Sequence, residues 1–196
     1  MVNFKEVFKE IEGEEYPQKR NYKDKTIFLA DKFPVMNKEK LIFSIEKTNS
    51  SYPQGFAIGV NNGYIKTNGT AVSKKRKHIN IFFWEDSEVL DVKHIEIQIF
   101  TASDHIFIKN IWERIIYEET VIDGTKPAGE NRKKIRFPEG KKVTCYVGSD
   151  LWMRGKENGA AMYSEDIPNG KRYFCNDGEE DDDFDDIIFT VTRAAN

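Results

Sequence analysis

Apolar and polar residues alternate along most of the chain from residue 26 onward. The spacing is clearest in Ile95–Ile99 and recurs in Leu41–Ile45, Ile79–Phe83 and Ile187–Val191. A period of two places every second side chain on the same face of a strand, so each of these segments is expected to be half-buried. Many short strands with turn residues between them predict an all-β fold, specifically an antiparallel β-sandwich.

Two parts of this pattern need a more detailed interpretation. Asn61-Asn62-Gly63 and Asn68-Gly69 predict hairpin turns on either side of a strand at Tyr64–Thr67. The segment His105–Thr120 fits either a helix or two strands. Its β-branched residues and its all-β surroundings favour strands.

The first residues follow a different period. Phe4, Val7, Phe8 and Ile11 have the i, i+3, i+4, i+7 spacing of a short amphipathic helix. Residues 1–13 have neither the apolar stretch nor the cleavage site of a secretory signal peptide. Residues 14–24 are polar and without periodicity. We therefore predict an N-terminal helix and arm over residues 1–24 and a β-sandwich domain over residues 25–196.

Composition excludes several classes of protein. Among the 196 residues, 39% are hydrophobic and 13% aromatic, which is enough for a core and excludes a wholly disordered chain. The longest apolar runs, such as Ile81–Trp84, are far shorter than the roughly 18 residues of a membrane span. The net charge of −3 does not indicate a nucleic-acid partner. The basic clusters Lys74–Lys77 and Arg132–Lys134 with Arg136 are interpreted as solvated loops.

Cysteine usage and motifs narrow the chemistry. The two cysteines, Cys145 and Cys175, are too few for a disulfide scaffold. They are either buried thiols or one bridge formed in an oxidising compartment, and the sequence leaves both open. No nucleophile elbow, zinc-protease motif or phosphate loop is present. We therefore expect a binding protein and not an enzyme.

Carboxylates are concentrated near the C-terminus. Eight of the ten residues from Asp177 to Asp186 are Asp or Glu and none is basic, so the remainder of the chain is net positive. We call residues 177–186 the acidic loop. Two carboxylates about 4 Å apart repel each other by about 1 kcal/mol in water and by several kcal/mol near a protein surface. Charge at this density requires a physical reason.

The segment after the acidic loop should hold it in place. Ile187–Thr192 is an apolar strand that should lie inside a sheet, and Phe184 interrupts the carboxylates and should anchor them. Carboxylates fixed in this way favour a hard divalent cation. Calcium takes about 6–8 oxygen ligands and tolerates irregular loops, whereas magnesium requires a stricter octahedron. The acidic loop contains no His or Cys, which argues against zinc and copper. The alternative is a solvated acidic turn.

Two segments resemble known calcium-binding modules. They are Ser164–Gly170 (Ser-Glu-Asp-Ile-Pro-Asn-Gly) and Asp181–Val191 (Asp-Asp-Asp-Phe-Asp-Asp-Ile-Ile-Phe-Thr-Val). Together they resemble the signature of bacterial calcium-binding β-sandwich modules, in which an Asp-x-Asp-[Phe/Tyr]-[Asn/Asp]-Asp loop precedes the last strand. The hexad Asp181–Asp186 is also similar to the calcium loop of soluble fucose- and mannose-binding bacterial lectins. In those lectins two calcium ions bind the sugar hydroxyls directly.

The resemblance implies a role for each matching position. The implied metal ligands are Asp181, Asp183, Asp185 and Asp186, with Glu165 or Asp177 as a further carboxylate. The implied ligand-binding residues are Asp183, Asp185 and Asp186. The chain departs from these families in the longer segment 171–180 and in carrying Asp185 where the lectins usually have Asn.

These inferences predict a calcium-dependent carbohydrate-binding module whose partner is a carbohydrate or glycoconjugate. The first alternative is an adhesion or self-assembly module that calcium stabilises, without a sugar site. The second is a hydrolase that uses calcium only for stability. The resemblance allows a homo-oligomer. Because cytosolic free calcium is low, we expect the protein to act outside the cell or at its surface.

Overall fold

A computed structural model describes residues 4–8, 19–49, 54–67, 70–72, 78–84, 94–112, 133–136, 142–148, 161–177 and 181–195. Most of them are in strands. The elements in chain order are α1 (Phe4–Val7), β1 (Lys19–Tyr22), β2 (Lys25–Phe28), β3 (Ala30–Pro34), β4 (Lys40–Thr48), β5 (Gln54–Asn61), β6 (Gly63–Thr67), β7 (Thr70–Val72), β8 (His78–Trp84), β9 (Ile95–Thr101), β10 (His105–Trp112), β11 (Lys133–Arg136), β12 (Lys142–Gly148), β13 (Met162–Ile167), β14 (Gly170–Cys175) and β15 (Ile187–Arg193). None of these residues forms a helix long and apolar enough to cross a membrane.

The described strands form two antiparallel sheets. Sheet A has nine strands in the order β1-β2-β13-β14-β15-β4-β9-β6-β7. Sheet B has six strands in the order β11-β12-β8-β5-β10-β3. The last strand, β15, lies in the interior of sheet A and pairs with β14 on one side and β4 on the other. The predicted antiparallel all-β fold is therefore confirmed.

Residues from both sheets contribute to one apolar core. The ring of Phe56 in sheet B stacks on Phe43 in sheet A, with centroids 4.8 Å apart, and on Phe189 in sheet A at 5.3 Å. Tyr173 in turn stacks on Phe189 at 5.0 Å. All four side chains are fully buried. The two sheets are thus joined through aromatic contacts.

A buried polar contact also links the sheets. Asp31 on β3, only 3% exposed, accepts hydrogen bonds from Lys171 Nζ at 2.8 Å and from the Tyr173 hydroxyl at 3.0 Å, both on β14. Burial and the neighbouring Asp31 carboxylate raise the pKa of Tyr173 well above its usual value. The hydroxyl therefore stays protonated and keeps donating to Asp31.

The alternating segments occupy strands as predicted. Ile95, Ile97 and Ile99 of β9 and Leu41 and Phe43 of β4 all point into the shared core. The segment His105–Thr120, which fitted either a helix or two strands, begins with β10, and this confirms the strand interpretation for residues 105–112. Residues 113–120 lie outside the described part of the chain.

One predicted hairpin turn and one predicted loop differ in the structure. Asn62, with a φ of 48°, leads from β5 in sheet B to β6 in sheet A, so the first predicted hairpin turn is a crossing between sheets. Alternation along a strand specifies which face is buried but not which sheet the strand joins. Part of the second basic cluster forms β11 instead of a loop. The first basic cluster lies outside the described residues.

The N-terminal region also differs. The structure describes only one helical turn there, α1, which does not establish the predicted amphipathic helix. Part of the predicted arm forms β1, which pairs with β2 at the edge of sheet A. An edge strand has one open side, so it accommodates the polar residues that had indicated an arm.

The helical turn belongs to a second apolar cluster on the other face of sheet A. Phe28 points into the shared core, so the adjacent Ile27 points to the opposite face, where it is fully buried. The residues that bury this face form what we call the N-terminal cluster, which consists of Phe4, Phe8, Ile27, Ala161 and Phe184.

Cys175 lies on the core side of β14 as a buried free thiol. Burial raises its pKa well above the usual value, and the negative charge of Asp186 adds to the shift. The thiolate form is therefore disfavoured, and this cysteine packs as a small apolar side chain.

Truncation of Phe56 tests the junction between the sheets. We expect Phe56→Ala to lower the free energy of unfolding by about 3–5 kcal/mol, because its ring fills space between Phe43 and Phe189. Urea denaturation followed by circular dichroism measures the change. Met36→Ala is the control, since this side chain is 72% exposed and the effect should stay within about 0.5 kcal/mol. Equal losses in both variants would contradict an aromatic junction.

Candidate metal centre

The acidic loop connects two neighbouring strands in the interior of sheet A. Cys175 at the end of β14 is paired with Ile187 at the start of β15, so the two ends of the loop are held side by side. The backbone N–H of Asn49, just after β4, donates to the carbonyl of Asp186 at 2.9 Å. The end of the loop is therefore fixed by strands on both sides.

Phe184 anchors the middle of the loop, as the sequence predicted. Its side chain is 2% exposed and lies in the N-terminal cluster. Its φ of 57° is in the left-handed region, which a bulky L-residue rarely adopts. Its backbone N–H donates to Asn176 Oδ1 at 3.4 Å, and Asn176 is itself fully buried. The chain thus bends sharply between Asp183 and Asp185.

Three carboxylates converge beside this bend. Oxygen atoms of Asp181, Asp183 and Asp186 all lie within 4.8 Å of one another. Ligands of one calcium ion at about 2.3–2.6 Å can be up to about 5 Å apart, so this spacing suits a single ion. Asp181 and Asp183 are exposed, whereas Asp186 is only 6% exposed. The group therefore has a closed side toward the protein and an open side toward solvent.

The remaining two aspartates of the hexad are directed elsewhere. Asp182 accepts a hydrogen bond from the Tyr22 hydroxyl at 2.6 Å and pairs with Lys23. Lys23 and Tyr22 hold the pKa of Asp182 below its usual value. This pairing attaches the loop to the hairpin formed by β1 and β2.

Asp185 has a similar arrangement on the other side of the loop. It pairs with Lys47 on β4 and accepts a hydrogen bond from Asn49 Nδ2 at 2.8 Å. Lys47, and after it Asn49, hold the pKa of Asp185 below the usual value. Both aspartates that pair with lysines are therefore ionised near neutral pH.

Asp186 has the opposite electrostatic environment. Burial raises its pKa to about 7. The N–H of Asp177 donates to Asp186 Oδ2 at 2.6 Å and opposes this shift, whereas the carboxylates of Asp177, Asp183 and Asp181 increase it. A bound cation would offset this repulsion.

The structure places the predicted site residues in different positions. Asp181, Asp183 and Asp186 come together, whereas Asp185 faces Lys47. Asp177 is 2% exposed and touches the site through its backbone N–H. Glu165 is exposed on β13, opposite Arg172 of β14, and is not part of the group.

Sequence reasoning missed the residues that orient the outer aspartates. Tyr22, Lys23, Lys47 and Asn49 lie more than 130 positions from their partners in the chain. They meet the loop because β1 and β4 belong to the same sheet as β14 and β15. No local pattern in the sequence marks them.

A scan against protein-family models and searches of the curated proteins and of the solved structures found no significant match to this chain. The resemblance to calcium-binding modules therefore stays a prediction that depends on the motif residues.

The raised pKa of Asp186 predicts a pH dependence of stability for protein kept in chelator. The folded state holds this proton up to about pH 7, whereas an unfolded Asp releases it near pH 4. The folded state thus binds more protons between these values, so stability should fall as pH rises from 4 to 7. Asp186→Asn should remove this contribution, which is on the order of 3 kcal/mol between pH 4 and 7. Urea denaturation of both proteins measures it, and a pH-independent difference between them would contradict the assignment.

Proposed function

We propose that the protein is a calcium-dependent carbohydrate-binding module built on a β-sandwich. In this proposal Asp181, Asp183 and Asp186 hold a calcium ion, and the ion binds hydroxyl groups of a sugar. The observation that carries the proposal is the convergence of these three carboxylates within 4.8 Å, with two of them exposed to solvent. The shared core of the two sheets supports the sandwich.

The chemistry favours calcium among the biological cations. All the converging ligands are carboxylate oxygens, which suit hard cations, and the irregular loop is easier to reconcile with calcium than with the strict octahedron of magnesium. Calcium takes about 6–8 ligands, so three aspartates leave positions for water or for vicinal hydroxyls. Those positions would lie on the side of the exposed Asp181 and Asp183.

The proposed ligand set differs from the one implied by the family resemblance. Asp185 is engaged by Lys47 and Asn49, so we assign it to anchoring the loop. Asp182 has the same role through Tyr22 and Lys23. These two lysines neutralise the flanking aspartates, which leaves the converging group as the favoured position for an ion.

One observation supports the alternative of a calcium-stabilised adhesion module. Asp186 lies directly before β15 and is bonded through its carbonyl to Asn49 after β4. An ion on Asp186 would therefore also fasten the loop to the middle of sheet A. In this second candidate function, protein and water supply all ligands.

Calcium titration tests the assignment of the ligands. We expect isothermal titration calorimetry to detect calcium binding, and Asp183→Asn to weaken it about tenfold or more, because a charged ligand is lost. Asp182→Asn is the matched control, since it removes a neighbouring charge outside the converging group, while the amide oxygen of Asn can still accept the hydrogen bond from the Tyr22 hydroxyl. This variant should change calcium affinity by less than about threefold. Equal losses in the two variants would mean that loop charge alone attracts the ion.

Glycan-array binding separates the two candidate functions. Sugar binding that disappears with chelator and in Asp183→Asn supports direct bridging by calcium. Calcium binding without any sugar binding supports the adhesion module. Sugar binding that persists in chelator would contradict the proposed mechanism.

A further inference from the structure

The conformation of Phe184 requires support from outside the loop. Its φ of 57° is unfavourable for an L-residue with a bulky side chain, so the surrounding structure must hold it. Relaxation of this residue would turn the chain between Asp183 and Asp185. The direction of both carboxylates therefore depends on what fixes the Phe184 ring.

Two aromatic side chains hold this ring by edge-to-face contacts. The Tyr163 centroid lies 5.3 Å from it, and Tyr163 is fixed on β13 by stacking on Phe174 at 4.7 Å. The Phe4 centroid lies 5.4 Å from it, with an interplanar angle of 62°. Phe4 is 2% exposed, although it belongs to the helical turn and not to a sheet.

Phe4 also contacts the support of a second loop residue. Its ring packs on Tyr22 with centroids 5.3 Å apart, and the Tyr22 hydroxyl donates to Asp182. The turn itself is attached to β1, since Arg20 Nε donates to the Val7 carbonyl at 3.2 Å. Phe4 therefore packs directly on Phe184, which follows Asp183, and on Tyr22, which holds Asp182 before it.

We propose that Phe4 is a positioning residue for the calcium site. By packing on Phe184 and Tyr22 it keeps the bend in the loop that directs Asp183 toward Asp181 and Asp186. Calcium binding and docking of the N-terminal turn are therefore coupled, and each strengthens the other. This inference rests on the calcium-binding function proposed above.

Calcium affinity of Phe4 variants tests the coupling. We expect Phe4→Ala to raise the calcium dissociation constant by about 5- to 30-fold in calorimetry. Phe4→Leu keeps most of the apolar volume, so its loss should be smaller. It also carries the test if Phe4→Ala does not fold. Ile65→Ala is the control, because it weakens the shared core from β6, which β9 and β4 separate from β15 in sheet A. It should lower the melting temperature and leave the calcium affinity unchanged.

The outcomes distinguish this inference from the proposed function. If the wild-type protein binds no calcium, both are overturned. If the wild-type protein binds calcium and both Phe4 variants bind it with the wild-type affinity, only the role of Phe4 is overturned. If Ile65→Ala loses as much calcium affinity as Phe4→Ala, the effect reports general destabilisation, and the positioning role is rejected.

A reciprocal measurement uses the wild-type protein alone. The amide of Phe8 donates to the Phe4 carbonyl at 3.0 Å, so its hydrogen exchange reports whether the turn is docked. Saturating calcium should slow this exchange several-fold relative to chelator, because linkage acts equally in both directions. Exchange that is unchanged by bound calcium would overturn the coupling.

Discussion

The pairing of the last strand with both of its neighbours is the interaction on which the candidate site depends. β15 hydrogen-bonds to β14 and β4, and three of its side chains, Ile187, Phe189 and Val191, are fully buried in the shared core. Asp186 directly precedes Ile187, the first residue of this paired and buried strand, so the backbone of Asp186 has little conformational freedom. The sheet thus holds carboxylates near one another that would separate in a free chain. β15 thus fixes the position of the loop, and Asp181, Asp183 and Asp186 provide the oxygen atoms that could bind a cation.

Electrostatics divides the hexad into two kinds of aspartate. Asp182 pairs with Lys23 in the turn between β1 and β2, and Asp185 pairs with Lys47 on β4. These pairs keep both aspartates ionised and fasten the loop at two sides. Asp181, Asp183 and Asp186 face one another, and the burial of Asp186 concentrates the repulsion there. Carboxylates at this separation repel by about 1 kcal/mol or more each, depending on exposure. The lysines therefore compensate the outer charges and leave the inner group suited to a cation.

The opposite face of sheet A gives the N-terminal turn its place in this arrangement. A sheet that packs one face on the core still presents apolar residues such as Ile27 on the other, and these must be covered. Phe4 covers them and at the same time touches Phe184 within the acidic loop. The packing of the N-terminal turn and the geometry of the carboxylates are therefore connected, although Phe4 and Phe184 are 180 positions apart in the chain.

The sequence by itself determined the alternating strands β4, β9 and β15 with their buried faces, the anchoring of Phe184 and the concentration of carboxylates before β15. These features follow from local pattern and composition, because a period of two places apolar side chains on one face of a strand and the count of Asp and Glu fixes the local charge. Only the tertiary structure decided that Asp185 pairs with Lys47, that Asp183 and Asp186 converge, and that residues 19–22 join a sheet. Which strands become neighbours depends on packing between distant segments. A pattern with a period of two is the same whichever strand lies alongside.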